Sequence, residues 1–297
     1  MATGVAEFID QTIANASGTG YSGTFSPDIW SKNVLVKQEA NLVFAQHVNR
    51  EYESDAKVGK SVIIATISDL GARAKTENTA ITYETVAETP VALVLNIWDY
   101  AAFGIEDIVN VQSHINLRSA YEDKVAYALA KDVDTKLSTG VAGFSRSFGT
   151  LGTPFSDADL RNAVQALDDN NVPDEGRVLI MSPAEKNDKL GLEKWVSVLY
   201  RGDSTTNGGG VQVNQGQIGR DIYNLTPYVT TNLFKPAAGQ GNNVVMHKDA
   251  YALVMQRQPK MHVFYDIDYF TWKIASEQIM GHGELRDDHG VWLKGVA

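Results

Sequence analysis

Residues 50–140 constrain the fold of this chain most, because they predict an unusually long β-hairpin that leads directly into one long amphipathic helix. The outgoing strand is predicted at 61–67 and the returning strand at 81–86 and 91–98, with a polar segment at 69–79 between them. Isolated hairpins are only marginally stable in water. The sequence therefore predicts that this hairpin needs support from elsewhere.

The tip of the predicted hairpin carries the charged residues Arg73, Lys75 and Glu77. Charged side chains are seldom buried without a partner, so this tip can bury little of itself in its own subunit. We therefore expect the three residues to form intersubunit contacts, in which they meet complementary charges on a neighbouring copy of the chain. Such a design is typical of an assembly subunit and less usual in a self-sufficient enzyme.

The predicted helix begins near Asp107 and ends at Gly140 and Gly143. About thirty residues, at a rise of ~1.5 Å each, give a rod of roughly 45 Å. Its apolar residues recur at steps of three and four, which indicates one buried stripe. The stripe consists of Ile108, Val111, Ile115, Tyr121, Val125, Ala128, Leu129, Val133 and Leu137.

A second unit, with helices and strands in alternation, is predicted after residue 150. Ser156 and Asp159 have the spacing of a capping box at a helix start. The apolar run at 177–181 indicates a buried strand. Ser182 is an N-cap candidate with Pro183 at the first helical position, which predicts a second helix directly after that strand.

Composition excludes several classes of function. The 297 residues include no cysteine, which excludes disulfides, thiolate metal sites and cysteine nucleophiles. No run approaches the ~18 apolar residues of a membrane span, and the start lacks the pattern of a secretory signal, so we expect no membrane partner. A net charge of -10 and a pI of about 5.1 argue against a chain that grips nucleic acid, because phosphate contacts need clustered Lys and Arg.

The residues most suggestive of chemistry lie between His282 and His289, where Glu284 and Asp288 could share one face of a strand. A metal site is one interpretation of this segment. A solvated, glycine-bounded acidic turn is the simpler one, because metal ligands usually show helical spacing or converge from several strands. We therefore predict no catalytic, cofactor-binding or metal-binding residue.

Several short segments, in this order, resemble the major capsid proteins of tailed double-stranded DNA bacteriophages. The resemblance spans nearly the whole chain and consists of many weak matches rather than one diagnostic motif. The segments are SPDIWS at 26–31, NLVF at 41–44, NREYE at 49–53, KVGKSV at 57–62, AYALAKDVD at 126–134, VLIMSP at 178–183 and the residues 246–295.

The resemblance implies an α+β fold with four parts. Copies of such a chain form hexamers and pentamers that tile an icosahedral shell around the genome, and the hairpin lies across the adjacent subunit. The implied parts are an N-terminal arm at 1–49, an extended β-hairpin loop at 50–103, a peripheral domain with a spine helix at 104–145 and 257–297, and an axial α/β domain at 146–256.

The resemblance also implies the partners. These are other copies of the chain, a portal complex and packaged double-stranded DNA that is not bound tightly or specifically. No long charged helical segment precedes the arm, which implies a separate scaffolding protein; a decoration protein is a further candidate. The implied location is the virion capsid, assembled in the cytoplasm of the host bacterium, with no enzymatic activity and no cofactor.

Two other interpretations stay open at the level of sequence. A bacterial nanocompartment shell protein has the same fold without DNA inside. A metal-dependent hydrolase would rest on the segment from His282 to His289.

Overall fold

The computed structural model describes residues 42–67, 70–85, 88–107, 117–192, 195 and 222–297. The predicted arm before residue 42 and the predicted stripe residues Ile108, Val111 and Ile115 lie outside these ranges. The helices are α1 (Leu117–Gly140), α2 (Asp157–Asp169) and α3 (Pro183–Leu190). The strands are β1 (Ser61–Ile67), β2 (Glu88–Val94), β3 (Ile97–Glu106), β4 (Ser147–Gly149), β5 (Arg177–Met181), β6 (Thr226–Val229), β7 (Gly241–His247), β8 (Tyr251–Asp266), β9 (Thr271–Glu284) and β10 (Gly290–Gly295).

The predicted hairpin is present as the antiparallel pair β1 and β2, in which Ser61 lies opposite Val94. The prediction of a returning strand at 81–86 is wrong for its described residues, because 81–85 form no strand. Here the Glu84 carboxylate binds the backbone N–H of Gly71 and the guanidinium of Arg73, so side-chain bonds hold the two arms together where a strand ladder was expected.

Among the described residues, one face of the hairpin packs on the rest of the chain. Val62, Ile64 and Leu93 point to that face and pack in a small cluster with Ala252 of β8. Ile63 points to the opposite face and is exposed. This alternation follows from the two-residue period of a strand.

A second sheet has the order β3-β9-β8 and is antiparallel throughout. Helix α1 covers its inner face, and Gln278 of β9 donates a hydrogen bond to the carbonyl of Leu129 at 3.3 Å. Lys136 of α1 binds Asp99 of β3 at 2.5 Å, which fixes the helix to the sheet at a second point. On the outer face of this sheet Trp98 and Tyr100 are exposed, and none of the residues that the structure describes covers them.

The described part of the predicted stripe is confirmed at four positions with a spacing of four, because Val125, Leu129, Val133 and Leu137 are buried. The prediction is wrong for Tyr121 and Ala128, which are exposed. Each residue turns the helix by about 100°, so Ala128, next to Leu129, points to the flank of the buried stripe. The 24 residues of α1 span about 36 Å.

The third sheet has the order β4-β10-β7-β5-β6, and its central strands β5 and β7 are buried along their whole length. The predicted buried strand at 177–181 and both predicted helix starts are confirmed. Ser156 and Asp159 form the capping box of α2, and Ser182 caps α3 with Pro183 in its first turn.

Strand β10 pairs with β4 and β7, so the last strand of the chain belongs to the five-stranded sheet built mainly by residues 147–247. The domain boundaries drawn from the sequence group 290–295 with α1; those boundaries stay a prediction. The α+β class is confirmed. Among the helices that the structure describes, none is long and apolar enough to cross a membrane.

Candidate intersubunit surfaces

The hairpin tip, residues 70–85, has an internal polar framework. Arg73 Nη2 donates to Glu84 Oε1 at 2.6 Å, and the backbone N–H of Gly71 donates to the other carboxylate oxygen at 3.2 Å. Arg73 thus has an ionic partner in its own chain, which the sequence analysis did not foresee. Because both side chains remain in contact with solvent, this ion pair contributes at most about 1 kcal/mol to the free energy of folding.

Lys75 and Glu77 lie at the far end of the tip, and both are exposed. The Lys75 ammonium donates to the carbonyl oxygens of Thr76 and Thr79, which closes a tight turn. Asn78 in this turn has φ 56, a left-handed conformation that asparagine tolerates better than most residues. The structure brings Arg73, Lys75 and Glu77 onto one tip; their contact with a neighbouring copy stays a prediction.

The two arms of the hairpin tip enclose an open cleft of about 400 Å³. Its lining includes Leu70, Ile81 and Tyr83, and the last of these is 83% exposed. Large apolar side chains displayed together on a surface mark interaction sites. Arg73, Lys75 and Glu84 also line this cleft, so its surface is mixed polar and apolar.

A second exposed tip, residues 264–273, joins β8 to β9. Its apolar side chains Phe264, Ile267, Tyr269 and Phe270 are each at least 65% exposed. We call these residues the β8–β9 tip. The sequence analysis missed this surface, although four large apolar residues within seven positions were a signal that could have found it.

Polar groups hold the β8–β9 tip in shape. Lys273 binds Asp266, which lowers the pKa of that carboxyl, and Asp266 also accepts the backbone N–H of Asp268 at 3.1 Å. Tyr265 donates its hydroxyl proton to Asp107 at 2.7 Å. The backbone is thus fixed by bonds within the chain while the apolar side chains point to solvent.

The open face of the three-stranded sheet carries a further aromatic residue, Trp98, which is 70% exposed. Its indole N–H donates to Glu277 at 2.9 Å, and Arg257 binds the same carboxylate at 2.7 Å. These bonds orient the indole ring across the open sheet.

The segment from His282 to His289 does not assemble a site. His282 Nδ1 lies 2.8 Å from the hydroxyl of Tyr251, and burial together with the Lys136 charge lowers the pKa of His282. Burial raises the pKa of the Glu284 carboxyl. Within the described residues, no group of three or more metal-capable side chains lies close enough to hold an ion.

Buried ionisable groups elsewhere serve the fold. Glu185 and Lys189 on α3 are fully buried, 3.4 Å apart. Glu185 accepts the backbone N–H of Val296 at 2.8 Å, and Lys189 donates to the carbonyl of Phe155. Desolvation raises the pKa of Glu185. This pair fastens the end of the chain to the five-stranded sheet.

Solved phage structures share this architecture. A chain from Mycobacterium phage Che8 is 26% identical, with 92% of this chain and 98% of that chain matched at a TM-score of 0.76. The capsid of cyanophage P-SCSP1u is 16% identical over 92% and 95% of the two chains, with a TM-score of 0.74. The mature capsid of bacteriophage PhiM1 is 14% identical over 95% and 97%, with a TM-score of 0.70.

No protein-family model matches the chain, and no curated protein matches its sequence. The likeness is therefore carried by the three-dimensional structure. The chain has the fold of phage capsid proteins, and its resemblance to the major capsid proteins of tailed phages is confirmed.

Proposed function

We propose that the chain is the structural subunit of a phage capsid, which assembles as hexamers and pentamers into an icosahedral shell around a double-stranded DNA genome. One observation carries the proposal: the structure matches a chain of the cyanophage P-SCSP1u capsid over 92% of this chain and 95% of that one.

The two tips support a role in self-assembly. Both display large apolar side chains on frameworks fixed by polar bonds, as binding surfaces do. Contacts that are weak one by one become strong when each subunit binds several neighbours at once. The role is structural rather than catalytic, which is consistent with His282 and Asp287 bonding to Tyr251 and to the backbone of Ser145 within the fold.

The partners follow from this role. Other copies form the shell, a portal complex occupies one vertex, and a separate scaffolding protein directs assembly in the cytoplasm of the host bacterium. A decoration protein is a further candidate for the outer surface. An acidic subunit of net charge -10 holds DNA without binding it tightly.

The test is expression of the full chain with and without a co-expressed candidate scaffold, followed by negative-stain microscopy and analytical ultracentrifugation. We expect shells or large oligomers under some condition of concentration and salt. A chain that stays monomeric under every condition would contradict the proposal. Shells from infected cells that hold no DNA after nuclease treatment would favour the nanocompartment interpretation.

A further inference from the structure

We propose that the crossing between the three-stranded and the five-stranded sheet is an acid-sensitive joint, in which His247 and His289 act as a pair. The crossing consists of residues 248–250, which lead from β7 to β8, and residues 285–289, which lead from β9 to β10. At neutral pH these two connections are held together, and protonation of the histidines loosens them. The joint is a property of the folded subunit and does not depend on assembly into a shell.

The two connections lie side by side and are bonded to each other. The carbonyl of Ala250 accepts the backbone N–H of Leu285 at 2.9 Å and that of Arg286 at 3.3 Å. The Asp287 carboxylate accepts the backbone N–H of Ser145 at 2.8 Å, which ties in the connection from α1 to β4. Three connections between the sheets thus meet in one place, so a change there alters how one sheet is attached to the other.

The pairing of β7 with β10 brings the two histidine rings together. Met246 pairs with Gly290, and the ring centroids of the neighbouring His247 and His289 lie 6.1 Å apart. His247 is only 4% exposed. A Cβ added to Gly176 would lie 3.5 Å from its Nε2, so the turn before β5 closes over the ring. Water therefore has little access to the His247 side chain.

His247 caps the single helical turn at 248–250 in its neutral form. Its Nδ1 accepts the backbone N–H of Asp249 at 3.3 Å, and only a ring nitrogen without a proton can accept. Protonation places a second N–H opposite the first and ends this bond. The Asp249 carboxylate, 3.5 Å from the same nitrogen, then becomes the partner. Its other oxygen already binds the side-chain amide of Asn49 at 3.0 Å, so the exchange disturbs contacts on both sides of the crossing.

His289 has no acceptor for a proton on Nδ1. This nitrogen is buried and has no hydrogen-bond partner among the residues that the structure describes. A neutral ring can keep its one proton on Nε2, whereas a protonated ring carries an N–H on each nitrogen, and a buried charged donor without an acceptor is costly. Burial and the charges of Arg286 and His247 accordingly lower the pKa of His289, against the opposing charges of Asp249 and Asp288.

The charged groups around the two rings do not offset two added protons. They are Arg177 on β5, Lys248 and Asp249 beside His247, and Arg286, Asp287 and Asp288 beside His289. Arg177 is already held by Asp168 and Asp174, and the Asp287 carboxylate by the backbone of Ser145. Two carboxylates thus face two further cations, and two protonated rings at this distance repel each other.

The pH range of the response follows from the sign of the pKa shift. Because His289 is kept neutral in the closed crossing, it binds a proton more readily once the crossing opens. The closed form is therefore fully favoured above pH 6.5, the ordinary pKa of histidine, and loses this advantage as the pH falls through the lowered pKa. Since β5 is buried along its length and contains no histidine, we expect acid to loosen the crossing and to leave β5 in place.

The first experiment follows hydrogen exchange by mass spectrometry in the unassembled wild-type chain at pH 7.5 and 5.5, corrected for the intrinsic exchange rate at each pH. We expect the peptides that cover 248–250 and 285–289 to lose about tenfold in protection at pH 5.5, which is the effect of one pKa unit on one group. The peptide that covers β5 should keep its protection. Unchanged protection at the crossing, or an equal loss in β5, would overturn the joint.

The second experiment assigns the response to the histidine pair. Asparagine is a good N-cap and does not titrate, so His247→Asn should keep the cap and lose most of the acid response. His289→Asn should weaken the response as well. His262→Gln, at an exposed histidine on β8, is the matched control and should respond like the wild type.

His282→Gln separates the pair from the other buried histidine near the crossing. We expect this variant to retain the loss of protection at 248–250 and 285–289. A response that persists in both asparagine variants but vanishes in His282→Gln would overturn the assignment to His247 and His289. All of these measurements use unassembled subunits, so their failure leaves the proposed function untouched.

Discussion

The five-stranded sheet and the β1–β2 hairpin are both built from β-strands, but they bury them differently. Every residue of β5 and β7 is buried, and apolar clusters lie on both faces of their sheet. The hairpin packs one face against the body and leaves Ile63 69% exposed on the other, and its tip is exposed along nearly its whole length. The sheet is stabilised by burial on both faces, whereas the hairpin is supported on one face, and its contact with a neighbouring copy stays a prediction.

The largest expected effect comes from removing the hairpin tip. Replacement of residues 68–87 by Asn-Gly keeps the β1–β2 pairing, which ends at Ile67 opposite Glu88, and closes it with a two-residue turn. We expect this variant to fold with the circular dichroism and unfolding midpoint of the wild type but to form no shells in negative-stain images. A variant that assembles normally would show that the tip is not an intersubunit element.

The next prediction compares the truncation of a large apolar side chain to alanine in the five-stranded sheet and in the hairpin. Leu179→Ala in β5 removes a fully buried side chain and should lower the free energy of unfolding by about 2–5 kcal/mol. Ile63→Ala on the exposed face of β1 should change it by less than about 0.5 kcal/mol in the free subunit. Urea unfolding of unassembled protein checks both values, and equal losses would mean that the hairpin face is buried within the chain.

The same contrast explains how far the sequence could predict the structure. Strand β5 and the caps at Ser156 and Ser182 were predicted because their signals are local: an apolar run, and side chains that bond three residues away. The strand at 81–85 was predicted wrongly because Glu84 binds Arg73, eleven residues back in the chain, and such a pairing has no local signal.

The candidate surfaces were only half predictable for a related reason. The charges of Arg73, Lys75 and Glu77 are visible in the sequence, because charge at a turn predicts exposure. The apolar residues of the β8–β9 tip read equally well as core, and only the structure shows that Ile267 and Phe270 face solvent. Strand β10 pairs with β7 and with β4, and β4 lies more than a hundred positions earlier in the chain. No periodicity in the sequence indicates these pairings.

A smaller effect concerns the charges of the hairpin tip. Reversal of Arg73 and Lys75 to Glu should impair assembly and leave the subunit folded, because surface changes outside the core usually cost under ~0.5 kcal/mol. Since Arg73 binds Glu84 in its own chain, a triple variant that adds Glu84→Arg restores that pair and isolates the loss of Lys75. Light scattering during assembly measures both variants. Normal assembly yield in the first variant would mean that neither residue is an interface contact.

Acid should modestly lower the contribution of His282 to the free energy of unfolding, whereas the hairpin has no group of this kind. The pKa of His282 is lowered from 6.5, so between that lowered pKa and 6.5 the unfolded chain binds more protons than the folded one. The contribution of His282 is complete above pH 6.5 and is lost as the pH falls through its folded pKa. His282 faces Tyr251 and Lys136, and residues 61–94 contain no histidine.

We therefore expect the free energy of unfolding of the wild type, relative to His282→Gln, to fall between pH 7.5 and 5.5. Urea titrations at both pH values measure this difference, and Ile63→Ala serves as a control whose difference from the wild type stays constant. A wild-type advantage that grows toward pH 5.5 would mean that the protonated histidine is stabilised in the fold.

The smallest expected effect is the binding of free subunits to duplex DNA. A shell holds its genome at high density without pinning it, because each tight phosphate contact would slow DNA entry and exit. Affinity for phosphates grows with the number of counterions that clustered Lys and Arg displace, and this chain has 26 basic against 36 acidic residues with no basic run longer than two. We expect a Kd no tighter than ~10⁻⁴ M at physiological salt, for the wild type and for the variant without the hairpin tip alike. A fluorescence titration decides it, and sub-micromolar binding with a steep salt dependence would show that one of the two regions carries a nucleic-acid surface after all.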